Sequence, residues 1–222
     1  NRDLATHLYR TERLRAGATL SEVTAEIIRA WGLTLRVLPM TDDSVATRIS
    51  ALVDDTPTEF AMQEWFVREH AEPTITAVRF AGADAARPAP GVLDAIRDAE
   101  TVIVCPSNPL ISIGPILAVP GIRSVLEARR EHVVAVCPII GGAPVKGPAD
   151  RLMRPLDIEV SPVGVARHYA SLCATLVLDT VDAALAPAVE AAGVRAVVTD
   201  TMMRSPEVAA ELAATTLAAV RR

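Results

Sequence analysis

From Gly91 onward the chain alternates short apolar runs with helical stretches, and this alternation restricts the fold more than any other feature of the sequence. Residues 101–105, 132–137, 174–178 and 195–198 read as strands rich in Val, Leu and Ile. Between them, 92–99, a stretch after Pro109 broken at Pro120-Gly121, 163–172 and 181–192 read as helices, and 206–220 as a closing helix. Strands of this kind are covered on both faces. The pattern predicts an α/β fold: a Rossmann-like, mostly parallel sheet with helices on both faces.

The first 90 residues read differently. Residues 6–15 have a helical rhythm that stops at Gly17. A second helix follows, capped by Thr19 or Ser21, with Leu20, Val23, Ile27 and Trp31 on one face and Gly32 at its end. Residues 33–38 read as a strand. Residues 45–53, 59–67 and 74–80 read as a β meander, with Asp54-Asp55-Thr56-Pro57 turning between the first two. The section 33–80 is thus a small appended strand and helix region on a single domain spanning 1–222. A chain of 222 residues can bury one sizeable core.

Charge and composition exclude several classes. The net charge is −5 and basic residues form no run, which argues against nucleic acid. Every apolar stretch is broken by Asp, Glu, Arg, Pro or Gly before about 18 residues, so no membrane span is expected. Cys105, Cys137 and Cys173 are far apart and form no Cys-x-x-Cys pair, so neither zinc nor redox chemistry is indicated. Cys105 and Cys137 end apolar runs and read as buried strand cysteines. The lack of disulfide spacing favours a cytoplasmic home. Neither a Walker A loop nor a G-x-G-x-x-G turn is present.

In open parallel sheets, ligands gather at the carboxyl ends of strands. The loop from Cys105 to Pro115 leaves one such end, and a helix is expected to begin near Ser112. Ser107, Asn108 and Ser112 are short donors suited to a phosphate, beside the free N–H groups of a helix start. The other reading is a strand-to-helix turn with Ser112 as its cap. The loop from Pro138 to Pro148 leaves a second strand end. Gly141 and Gly142 let backbone approach a ligand, and Lys146, the sole lysine of the chain, offers a point charge. The other reading is a flexible turn with a solvated lysine. Asp42 and Asp43 hold Mg2+ or, alternatively, make a turn or cap a helix. Gln63, Trp65 and Phe66 offer a flat face to a ring or else fill core. His7 and His168 read as surface or partly buried histidines on helices.

The wording of several segments goes further than their spacing. Asn1-Arg2-Asp3-Leu4-Ala5-Thr6-His7, Leu38-Pro39-Met40-Thr41-Asp42-Asp43, Gln63-Glu64-Trp65-Phe66-Val67-Arg68, Pro106-Ser107-Asn108-Pro109 through Ile116, and Pro138 through Ala149 occur in this order. Together they resemble the 2-phospho-L-lactate transferase family of coenzyme F(420) biosynthesis. The resemblance implies a transferase of substituted phosphate groups. Its donor would be lactyl- or enolpyruvyl-diphosphoguanosine and its acceptor the deazaflavin Fo, with Mg2+ on the diphosphate. Ser107, Asn108 and Ser112 would hold the diphosphate. Gly141, Gly142 and Lys146 would line the guanosine diphosphate side, and Arg2 would face the deazaflavin. A homodimer is also implied.

The sequence departs from the family in one respect. Family members start earlier, with a strand and a Gly-rich loop, so this chain reads as N-terminally truncated, and Asn1 stands where the family usually has Asp. The alternative is a nucleotide-sugar-binding regulator on the same fold. Its loop typically reads Pro-Gly-Ser-Leu-Tyr-Thr-Ser, which Pro106-Ser107-Asn108-Pro109-Leu110-Ile111-Ser112 does not match.

Overall fold

The computed structural model describes residues 2–220. Two helices open the chain, α1 (Arg2–Arg15) and α2 (Leu20–Ala30). Thr19 starts α2 with a capping box: its hydroxyl accepts the Glu22 N–H and its own N–H donates to the Glu22 carboxylate. No residue of α1 is buried. It is tied to α2 by Glu26, which accepts from Arg13 at 2.8 and 3.1 Å and from the Tyr9 hydroxyl at 2.7 Å.

The appended region is a three-stranded antiparallel sheet of β1 (Ala46–Val53), β2 (Thr56–Ala61) and β3 (Thr74–Ala81). Its order is β2-β1-β3, so it is not a meander: β3 returns to pair with β1. The strand expected over 59–67 ends at Ala61. Glu64–Arg68 forms a single wide helical turn instead, which buries Trp65 and lets its indole N–H donate to the Pro73 carbonyl at 3.0 Å. The strand expected over 33–38 is absent. Its period-2 pattern has no strand beside it to pair with, and Leu33, Leu35 and Val37 are exposed.

The second half matches the expected alternation. It runs α3 (Val92–Asp98), β4 (Val102–Val104), α4 (Gly114–Ala118), α5 (Ile122–Ala128), β5 (Val133–Val136), the short β6 (Ile139–Ile140) and β7 (Ala143–Pro144), α6 (Ala149–Met153), α7 (Pro162–Tyr169), β8 (Thr175–Asp179), α8 (Ala186–Ala191), β9 (Arg195–Thr199) and α9 (Pro206–Val220). The main sheet is parallel with order β4-β5-β8-β9. A sheet that grows in one direction with right-handed crossovers puts its connecting helices on one face. The largest core lies there, joining Val133 and Ala135 to Ile122, Leu126, Val165 and Tyr169. The other face is covered by α9 through Val134, Val136, Val177, Leu212 and Ala219.

Smaller corrections follow from where strands stop. Cys137 and Cys173 are buried, but Cys105 is exposed: it lies just past β4, an edge strand with no buried residue. The helix expected over 181–192 is a 3-10 stretch, Thr180–Leu185, before α8 begins. Among the described residues no single helix is long and apolar enough to cross a membrane. The apolar pair Pro109–Ala118 and Ile122–Ala128 meets at 96° and buries Leu117, Ile122 and Leu126.

Candidate functional site

The carboxyl ends of β4, β5 and β9 open onto one cleft of about 380 Å³. Pro106 and Asn108 come from the loop after β4. Cys137, Pro138, Ile140 and the Pro144–Lys146 stretch come from the loop after β5, and Thr201 to Arg204 from the loop after β9. Strand ends of a parallel sheet are where backbone turns away from the core and leaves room for a ligand.

Asn108 builds the first wall. Its Oδ1 accepts the N–H groups of Leu110 at 2.9 Å and Ile111 at 3.2 Å, which starts the wide helical turn Pro109–Ile113. Asn108 is therefore the cap, and Ser112 is not: the Ser112 N–H donates to the Asn108 carbonyl at 3.1 Å and its residue is exposed. The Asn108 Nδ2 is covered and has no hydrogen-bond partner among the described residues. A covered amide donor left without a partner costs free energy until an acceptor reaches it.

The second wall is a hairpin. β6 and β7 pair antiparallel around Gly141 (φ +58°) and Gly142 (φ +79°). A two-residue turn with positive φ at both positions is the form that matches strand twist, and glycine enters it without strain. The Gly141 N–H donates to the Asp182 carboxylate at 2.9 Å. Lys146 follows the hairpin and lines the cleft. At the floor, burial pushes the Cys137 thiol up to about 12, aided by the nearby Asp182 charge against the opposing Ile139 hydrogen bond. It stays protonated at neutral pH and donates to the Ile139 carbonyl at 3.3 Å, so it is no thiolate nucleophile.

The third wall was not singled out by the sequence. Thr201, Met202, Met203 and Arg204 line the same cleft as Lys146. Arg204 pairs with Asp200. Thr201 is fixed by Asp179, whose carboxylate accepts its N–H at 2.8 Å and its hydroxyl at 2.9 Å. Burial alone would raise the Asp179 acid. Hydrogen bonds from Val181, Thr201 and Thr180 outweigh it and hold the carboxyl below its usual range. The strand-end rule that pointed to the other loops applied equally to residues 200–205.

Of the residues expected at the site, the structure brings Asn108 and Lys146 together on the cleft. Ser107 is next to Asn108 but does not line it, and Gly141 and Gly142 sit at the exposed hairpin tip. Arg2 is exposed at the start of α1, and the Asn1 of its motif lies outside the described residues. Asp42 receives the Ser21 N–H and hydroxyl at 2.7 and 3.0 Å, and Asp43 the Arg87 N–H at 2.8 Å. As placed, these two carboxylates do not fit a magnesium site: they tie chain segments together, and neither lines the cleft. No group of three or more His, Cys, Asp or Glu that could hold a metal occurs among the described residues. Trp65 is core and Phe66 is partly exposed, away from the cleft. His7 contacts Arg10 at 2.8 Å. His168 is half-buried beside Arg123, and burial first and that charge second lower its pKa.

Comparison with known proteins adds to this geometry. A family model described as 2-phospho-L-lactate transferase CofD matches residues 1–217. A phosphoenolpyruvate transferase of Kitasatospora aureofaciens is 43% identical over 219 residues, covering 98% of this chain and 68% of the relative. A 2-phospho-L-lactate transferase of Methanosarcina acetivorans is 40% identical over 213 residues, covering 96% and 67%. The chain thus spans about two thirds of the length of these relatives. A solved structure of a UPF0052 family protein from Bacillus halodurans superposes with a TM-score of 0.64 at 18% identity, covering 95% of this chain and 71% of that one. At that identity the likeness speaks for the fold.

Proposed function

The chain belongs to the 2-phospho-L-lactate transferase family of coenzyme F(420) biosynthesis, and on that premise we propose the reaction it carries out. It moves a phospholactyl or phosphoenolpyruvyl group from a guanosine diphosphate-linked donor to the terminal ribitol hydroxyl of Fo. The hydroxyl oxygen forms a bond to the phosphorus that carries the three-carbon acid. The bond from that phosphorus to the bridging oxygen breaks, GMP leaves with the electron pair, and the hydroxyl proton is released. Relatives named for each of the two acids match at similar identity, which leaves both donors within the proposal.

One observation carries this assignment: Asn108, whose covered Nδ2 has no hydrogen-bond partner among the described residues, and Lys146 both line one cleft at the sheet's carboxyl edge. An amide donor and an ammonium are what a diphosphate needs for positioning and charge neutralisation. Phosphoryl transfer of this kind calls for little covalent chemistry from the protein. The protonated Cys137 at the floor agrees with that. Ser107, Ser112, Gly141 and Gly142 contribute by shaping the two loops. Arg2 facing the deazaflavin, a cytoplasmic location and a homodimer are proposed on family grounds. Mg2+ is proposed as the diphosphate's counter-ion, with no step assigned to it.

Calorimetric titration of the protein with GDP tests the assignment. Binding that weakens about tenfold or more in Asn108→Ala and Lys146→Ala, about 1.4 kcal/mol each, supports it. Full affinity in both variants removes these residues from the site. Binding of a UDP-sugar in place of GDP would favour a nucleotide-sugar regulator.

A further inference from the structure

The last residue of β8 and the segment after it have no residue on the cleft, yet they hold two of the cleft's walls. Asp179 and Asp182 are 3% and 6% exposed. A buried carboxylate is costly unless hydrogen bonds compensate it. Here the compensation comes from the walls themselves. Asp179 takes both the N–H and the hydroxyl of Thr201. Asp182 takes the N–H of Gly141 at 2.9 Å. Val181, between them, lies near the hairpin tip: a Cβ added at Gly141 would stand 3.6 Å from it.

The Thr201 wall ends in Arg204, and the Gly141 hairpin leads into Lys146. The two cations therefore belong to loops anchored on residues three apart in one short segment. Loops move unless something fixes them, and a binding group misplaced by about 1 Å loses much of its effect.

We propose that Asp179 and Asp182 act together as a clamp that sets the separation of the Lys146 and Arg204 loops and so the affinity for the nucleoside diphosphate. They are positioning residues and touch no substrate. The inference rests on the cleft being the donor site.

Asp182 gives the cleaner test, because Asn at this position keeps an acceptor oxygen for Gly141 and Ala does not. GDP is titrated calorimetrically into wild type, Asp182→Asn and Asp182→Ala. The clamp predicts binding about tenfold or more weaker in Asp182→Ala, with Asp182→Asn between it and wild type. Equal affinity in all three, or equal loss in both variants, overturns it. Backbone hydrogen exchange reads the same bond without ligand. Exchange at Gly141 must be faster in Asp182→Ala than in Asp182→Asn, and equal exchange contradicts the clamp. Failure of wild type to bind GDP would strike the donor assignment, while the exchange result still decides whether Asp182 holds the hairpin.

Discussion

The Thr201 backbone N–H and hydroxyl both donate to one carboxylate oxygen of Asp179, at 2.8 and 2.9 Å, where β8 and β9 end side by side. The carboxylate is fully used, since the Val181 N–H donates to the other oxygen at 3.0 Å. This bonding holds the folded acid below its ordinary pKa despite burial. A depressed folded pKa gives stability that is present above the unfolded value and lost as pH falls through the folded one. Asp179→Asn is therefore expected to be less stable than wild type at pH 7, by roughly 1–3 kcal/mol. The gap should narrow as pH falls below about 4. Denaturant unfolding at pH 7 and pH 3 checks this; a gap that stays constant would contradict it.

Glu26 behaves in the same sense at the outer edge of the molecule. The Arg13 hydrogen bond, then that from Tyr9, lower its pKa to about 2. Since α1 buries no residue, these bonds to α2 are its main side-chain tie to the rest of the fold among the described residues. Glu26→Gln is expected to speed hydrogen exchange along α1 while leaving the main sheet unchanged. In wild type the same loosening should appear only as pH falls towards about 2. Unchanged exchange in α1 would show that other contacts suffice.

Gly164 lies in the first turn of α7, below the Ser161 cap that accepts its N–H at 3.1 Å. A Cβ there would stand 1.9 Å from the Glu159 carbonyl oxygen, which is backbone and cannot swing aside. Gly164→Ala should cost about 1–3 kcal/mol and lower Tm by about 2–4 °C per kcal/mol in a chain of this size. A Tm equal to wild type would mean that the 159–161 turn relaxes freely.

The three cysteines should separate by reactivity. Cys105 is exposed, whereas burial raises the pKa of Cys137 to about 12 and that of Cys173 to about 11. Thiolate is the reactive form. Iodoacetamide at pH 8, read by mass spectrometry, should label Cys105 while Cys137 and Cys173 stay unlabelled in the folded protein. Labelling of Cys137 at a comparable rate would contradict its protonated state at the floor.

The parallel sheet was legible because its strands are short, apolar and separated by helical rhythm, and β5 and β8 are buried along their whole length. The alternating Leu33, Leu35 and Val37 misled, because a strand depends on a partner that no local pattern records. The 59–67 run misled because Trp65 is buried from a helical turn and not from the sheet. At the site, Asn108 and Lys146 were legible from their loops. Asp179, Asp182 and the Thr201–Arg204 wall were not, because their role depends on bonds across 41 and 22 positions of sequence. Their one local signal was a position just beyond a strand's carboxyl end.

The most direct measurement is turnover itself. The protein is mixed with enolpyruvyl-diphosphoguanosine, Fo and Mg2+, and GMP and the Fo phosphodiester are quantified together, with lactyl-diphosphoguanosine in a parallel reaction. Group transfer at this cleft predicts the two products in equal amounts from at least one donor, at a rate cut sharply by Lys146→Ala. GMP without the phosphodiester, or a rate indifferent to both Lys146 and Asn108, would contradict it.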